Sequence, residues 1–265
     1  CTGNYRKSEF FNVINFISDY FSNSNSRIDL ILSDDFKNQV DASNLKNQIK
    51  IDTFSSSIKN SDIVLSIGGD GTILSTIRRM GDKTIPVLGI HIGNLGFLAQ
   101  STQTTLLKAL DCLMNKEYKI EERLLLEIKI KNNDNKFYYA FNDVVIDHGN
   151  SGRILKTRVY VDNKHINNYE SDGIIISTPT GSTGYSLSSG GPIIYPDLKV
   201  INITPISSHS LSARPIVLSS NSCIDIEFTE DFIDGALTVD GQERVNLLVH
   251  HIVTINKAKH SANLV

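Results

Sequence analysis

The residues most able to do chemistry are Gly68-Gly69-Asp70-Gly71-Thr72. They lie between Ile63-Val64-Leu65-Ser66-Ile67, an apolar run of strand length, and Ile73-Leu74-Ser75-Thr76-Ile77, which has helical spacing. A glycine-rich turn from strand to helix lets backbone N–H groups approach a phosphate, and the helix N-terminus adds favourable partial charge. Asp70 changes the meaning of the turn, because a carboxylate beside bare phosphates belongs there only to bind a cation or accept a proton. The pattern therefore points to chemistry at a phosphate. Two common phosphate motifs do not fit: no Lys follows the glycines, and the spacing is not that of a dinucleotide fingerprint. Taken alone, the glycines also suit an ordinary turn that needs positive φ.

A second group is Ser177-Thr178-Pro179-Thr180-Gly181-Ser182-Thr183-Gly184-Tyr185-Ser186-Leu187-Ser188-Ser189-Gly190-Gly191-Pro192. It offers many small hydrogen-bonding groups and a flat ring, which suit ribose, phosphate and base contacts. Pro179, Tyr185 and Pro192 set it apart from a flexible Gly/Ser linker. Asp172 precedes it. Asn142-Asp143 sits in the strand-like run 138–146, where two adjacent polar residues put at least one side chain on a buried face. A satisfied structural pair or a bulge is the alternative there.

These groups need elements to hold them. In the first half, a helix over 10–21, a strand over 27–33, an ambiguous stretch over 45–58, a strand over 63–67, a helix over 72–80, a strand over 85–90 and a helix over 104–114 alternate in type. That order predicts a parallel sheet with helices on its faces. Ligands in such sheets bind beyond the carboxyl ends of the strands, so Gly68–Thr72 and Gly89–Phe97 should line one crevice. Beyond residue 120, short strand-like runs separated by Asn, Asp, Gly and Ser predict an antiparallel sandwich or barrel. The expected domains are 1–119 and 120–265, with the last residues open to returning to the first.

Composition excludes several classes. The 265 residues are 40% hydrophobic, enough for a substantial core. A net charge of −3 without a Lys/Arg block suggests neither a nucleic-acid nor an anionic-membrane partner. No apolar run reaches membrane-spanning length, and the N-terminus does not read as a signal peptide. Cys1, Cys112 and Cys223 are far apart and form no CxxC, so thiols in a reducing cytoplasm are expected. No His/Cys cluster has zinc spacing. His250 and His251, read as strand neighbours, should face opposite sides.

Together these residues make the chain resemble the NAD kinase family. The resemblance rests on GGDGT at 68–72, GIHIGNLGFLA at 89–99, FND at 141–143, SDGIIISTPTGSTGYSLSSGGP at 171–192, TPISSHSLSARP at 204–215 and DGQ at 240–242. GGDGT alone is shared with diacylglycerol and sphingosine kinases, and phosphofructokinases carry a close relative of it. The segment TPTGSTGYSLSSGGP discriminates between them.

The resemblance implies a Rossmann-like α/β domain followed by an antiparallel β-sandwich domain, with the active site between them. It implies phosphorylation of the adenosine 2′-hydroxyl of NAD, with ATP or another phosphoryl donor, polyphosphate included. Asp70 would accept the hydroxyl proton. NAD contacts would come from Gly71, Asn142, Asp143, Arg153, Asp172, Thr183, Gly184, Tyr185, Ser186, Leu187, Ser188 and Gln242. Phe97 would line the crevice wall near the nicotinamide end. Arg153 would face a phosphate or lie in a solvated loop. Mg²⁺ or another divalent metal would arrive with the triphosphate. The family implies a homo-oligomer, a dimer or tetramer.

The chain departs from the family's usual pattern at several points. Asp143 stands where Glu is usual, His91 where Asn is common and Asn94 where a basic residue is common. Glu170 would repel phosphate and is left out of the site. An opening strand before the first helix and a final helix are expected but not found in the sequence. A diacylglycerol-type lipid kinase and a catalytically weak dinucleotide-binding regulator are the alternatives.

Overall fold

The computed structural model describes residues 1–24, 28–36, 49–93, 96–131, 136–210, 212–229, 232 and 234–265. The chain forms two compact units, residues 1–122 with 262–265, and residues 123–261.

The first unit is built on a parallel sheet. Thr2–Gly3 pairs with Val64–Gly68, which pairs with Val87–His91, which pairs with Ala262–Leu264. All of Val64–Gly68 and Val87–His91 are buried, as expected for strands covered on both faces. The opening strand missing from the sequence reading is therefore present. It has only two residues, Thr2↔Ser66 and Gly3↔Ile67, too few to show a periodic pattern. Helix Glu9–Asn23 buries Phe10, Val13, Ile14 and Ile17, one face at helical spacing, against Leu65, Ile67, Leu88 and Ile90. Of the ambiguous stretch, 45–48 lie outside the described residues. The rest is a strand, Lys50–Asp52, and a helix, Phe54–Lys59, whose Thr53 cap accepts from the Ser56 N–H at 3.2 Å. The expected strand over 27–33 is seen as Ile31–Ser33, and residue 27 is outside the described residues.

The second unit packs two antiparallel sheets face to face. One runs, in spatial order, Ile216–Ser219, Val200–Ile206, Gly173–Ser177, Asp143–Asp147, Gly235–Val239 and Glu243–Leu247. The other runs Lys164–Ser171, Leu155–Val161, Ile224–Phe228, Ile252–Lys257, Leu126–Lys131 and Phe137–Ala140. Alternate residues of both, among them Val144, Ile146, Ile174, Ile176, Ile203, Ile128, Val159, Ile226 and Val253, form one buried core.

Two expectations need correction here. Residues 138–146 are not one strand. Phe137–Ala140 belongs to one sheet and Asp143–Asp147 to the other, and the chain changes sheet at Phe141-Asn142. His250 and His251 are not on a strand but between Glu243–Leu247 and Ile252–Lys257, where their rings meet edge to face at 4.8 Å.

Candidate active site

In the first unit the chemistry gathers at the carboxyl ends of Val64–Gly68 and Val87–His91, paired at Gly68↔His91. Helix Asp70–Met80 starts directly after Gly69 and places Asp70 in its first turn. The loop after Val87–His91 returns to this carboxylate. Phe97 N–H donates to Oδ2 at 2.8 Å and Leu98 N–H to Oδ1 at 3.1 Å. Each oxygen takes one backbone donor and keeps a lone pair for another. Gly96 makes the approach possible, because a Cβ there would lie 2.2 Å from Asp70 Oδ1. The two loops expected to share a crevice therefore meet through Asp70. Gly71 is exposed, and Phe97, an aromatic ring bonded through its backbone to Asp70, is 86% exposed. His91 is buried, and neither of its ring nitrogens has a hydrogen-bond partner. Its Cε1 lies 3.9 Å from where a Cβ on Gly69 would stand. Asn94 lies outside the described residues.

In the second unit a cleft of about 430 Å³ is lined by Asn142, Asp143, Val145, Asp147, Gly184, Tyr185, Thr238, Asp240, Gly241 and Arg244. Its position follows from strand parity. Val144 and Ile146 point into the core, so Asp143, Val145 and Asp147 line the opposite face. The loop after Gly173–Ser177 crosses one end. Thr178 clamps the sheet change, its N–H donating to Asn142 O at 2.9 Å and its hydroxyl to Phe141 O at 2.6 Å. Gly181 then packs on the Asn142 backbone so closely that a Cβ would lie 2.0 Å from Asn142 O. Asn142 Oδ1 is buried without a hydrogen-bond partner. Tyr185 is half exposed at the start of the short helix Tyr185–Ser188. Burial, then the charge of Asp240, push the Asp143 carboxyl up to about 7. Arg244 forms a two-pronged pair with Asp147 at 2.9 and 2.8 Å and also reaches Thr238 Oγ1.

The remaining residues named from the sequence are spread more widely. Gly184 lies beside Asp143 and Asn142, since its Cβ would stand 3.6 Å from Asp143 Oδ2 and 3.9 Å from Asn142 Nδ2. Thr183, Leu187 and Ser188 are exposed. Ser186 is turned inward, its Oγ bonded to Thr204 Oγ1 at 3.0 Å and Asn202 Nδ2 at 2.9 Å, so its hydroxyl is committed to the protein. Gln242 is exposed in the hairpin after Val239. Asp172 is exposed at the other end of Gly173–Ser177 and does not line this cleft. Arg153 lines a separate hollow with His148, Lys156 and Asp234. The sequence reading missed Asp147, Asp240 and Arg244 as parts of these sites. Asp240-Gly241 was the available signal, a dipeptide typical of tight hairpins.

The described residues contain no group of three or more His, Cys, Asp or Glu side chains that could hold a metal. They also contain no helix long and apolar enough to cross a membrane.

Comparison with known proteins agrees with this arrangement of motifs. Residues 18–118 match the ATP-NAD kinase N-terminal domain and residues 141–265 the ATP-NAD kinase C-terminal domain. An NAD kinase of Clostridium botulinum (strain 657 / Type Ba4) is 45% identical over 205 residues, 77% of this chain and 73% of the relative. One from Thermoanaerobacter sp. (strain X514) is 40% identical over 207 residues, with the same two shares. The crystal structure of yeast NADH kinase complexed with NADH superimposes with a TM-score of 0.90 at 26% identity, covering 99% of this chain and 81% of that one. An Archaeoglobus fulgidus NAD kinase in complex with ATP shares the fold, with a TM-score of 0.71 at 22% identity, covering 89% of this chain and 92% of that one. The matched models leave the lipid-kinase alternative without support. Motifs, fold and relatives agree, and the chain belongs to the NAD kinase family.

Proposed function

We propose that this protein transfers the γ-phosphoryl group of ATP to the 2′-hydroxyl of the adenosine ribose of NAD, giving NADP and ADP. The observation that carries the reading is Asp70, a carboxylate fixed at a glycine turn by two backbone N–H groups, with a lone pair left on each oxygen. Asp70 accepts the proton of the 2′-hydroxyl as that oxygen attacks phosphorus and the bond to the ADP oxygen breaks. The hydroxyl proton passes to Asp70 Oδ and the bonding pair leaves with ADP. The glycine turn and the N-terminus of helix Asp70–Met80 favour phosphate nearby.

NAD is held by Asn142 and Asp143, whose turn is clamped by Thr178, and by the exposed ring of Tyr185. Gly71, Phe97, Thr183, Gly184, Leu187, Ser188 and Gln242 remain proposed contacts. Ser186 contributes through its backbone, because its hydroxyl is engaged internally. Asp172 and Arg153 stand away from the Asn142-Asp143 cleft and are proposed to meet more distant parts of the dinucleotide. A divalent ion such as Mg²⁺, carried on the triphosphate, offsets phosphate charge. Among the described residues, no group of three or more His, Cys, Asp or Glu side chains would hold it independently of the triphosphate. Three unpaired cysteines support the proposal of a reducing, cytoplasmic setting. The exposed side chains of Ile193 and Tyr195, 71% and 70% accessible, support a homo-oligomer.

The test is incubation of the purified chain with NAD, ATP and Mg²⁺, reading NADP with an NADP-specific dehydrogenase. NADP formation that requires all three supports the reading. NAD binding without NADP points instead to a dinucleotide-binding regulator.

A further inference from the structure

The strands Gly235–Val239 and Glu243–Leu247 are joined by a tight hairpin in which Asp240 has φ +48 and Gly241 φ +65. Two consecutive positive φ values are what a type I′ turn requires, and Asp-Gly is a preferred pair there. The side chain of Asp240 extends from this turn into the sandwich. It reaches the point where the chain changes sheet, and there Oδ2 accepts the Phe141 N–H at 3.0 Å and Oδ1 accepts the N–H groups of Asn142 and Asp143 at 2.8 and 3.1 Å. The Asp240 N–H returns a bond to Asp143 O at 2.9 Å. Buried N–H groups leaving one sheet and not yet joined to another need acceptors, and one carboxylate supplies all three.

We infer that Asp240 is a positioning residue for NAD: by binding three consecutive N–H groups it sets the direction in which Asn142 and Asp143 face the dinucleotide. The inference rests on the NAD kinase reading above. Asp240 is 7% exposed, so it acts through the backbone of its neighbours. Thr178 holds the carbonyl side of the same turn, leaving the two side chains as its adjustable part.

The placement has an electrical consequence. Among the described residues, the ionisable groups that line the cleft with Asp143 are Asp240 from the hairpin turn, Asp147 from its own strand, Arg244 from the strand after the hairpin and Tyr185 from the short helix. Arg244 is occupied by Asp147, so the nearest charge acting on Asp143 is that of Asp240. Removing that charge should let Asp143 ionise at lower pH.

The test compares the parent and Asp240→Asn in NAD affinity, measured by calorimetry across about pH 5.5 to 8.5, and in turnover. Asn tolerates positive φ, so the hairpin itself should survive the substitution. The expected result is KM and Kd for NAD raised about tenfold, with a smaller fall in kcat, since about one charge-assisted hydrogen bond is lost. The pH at which NAD affinity changes should move down, while burial keeps it above the ordinary carboxylate range. Unchanged affinity and pH profile in Asp240→Asn would overturn the inference. So would a parent whose NAD affinity is flat across that range, a result that needs no variant to fold. A parent that binds NAD with this pH profile but forms no NADP would leave the inference standing and remove the kinase reading.

Discussion

Among single residues, two carboxylates with different surroundings carry the chemistry. Asp70 sits at a helix start with two backbone donors, and Asp143 is buried beside another carboxylate. The folded protein holds a proton on Asp143 up to about pH 7, whereas an unfolded Asp releases it near 4. The folded state thus binds more protons between those values, and its stability from this group falls as pH rises through the window. Urea unfolding from about pH 4.5 to 8 should show that decline, and Asp143→Asn should flatten it. An identical slope in the variant would assign the effect to other groups. Gly96→Ala tests the Asp70 environment, because the added Cβ would meet the carboxylate at 2.2 Å. Turnover should fall about tenfold or more through displacement of Asp70. Steady-state kinetics would check this, and a parent-like kcat would show that the loop yields without moving Asp70. The positions of Asp70 at a strand-to-helix turn and of Tyr185 in the loop after Gly173–Ser177 were readable because their motifs are local. Asp240 was not, because its partners are about a hundred positions away in the chain and only folding brings them together.

At the scale of elements, legibility followed burial. Val64–Gly68 and Val87–His91 are wholly buried, and their apolar runs identified them. Lys164–Ser171 and Glu243–Leu247 went unread. Both are edge strands with few buried side chains, so they carry little hydrophobic pattern. The run 138–146 misled for the opposite reason. Its apolar residues serve two sheets in succession, and periodicity cannot mark where a chain changes sheet when both halves face a core. The Thr178–Gly184 loop shows why the small residues there are not a linker. Thr178 bonds the sheet change, and Gly181 leaves no room for a side chain over Asn142. Gly181→Ala should therefore destabilise by about 2 kcal/mol or more, seen as a lower urea midpoint, because the clash is with backbone. A midpoint within error of the parent would contradict the rigidity assigned to this loop.

At the scale of the whole molecule, each unit carries its own core, the first around Phe10, Ile14, Ile67 and Ile90 and the second between its two sheets. The division of labour follows: the parallel sheet presents a carboxylate at its carboxyl end, and the sandwich presents Asn142 and Asp143 on an outer face. Exposed Ile193 and Tyr195 lead to the expectation of a dimer or tetramer by light scattering, and a monomer at micromolar concentration would contradict the assembly proposed. The central claim is that Asp70 takes the proton of the attacking hydroxyl. Its most direct test is kcat for NADP formation by Asp70→Asn beside the parent, both shown to be folded by thermal unfolding. The account predicts a fall of about two orders of magnitude or more with NAD still bound. A folded variant that keeps a third or so of the parent's turnover would contradict it, since loss of a general base costs far more than that.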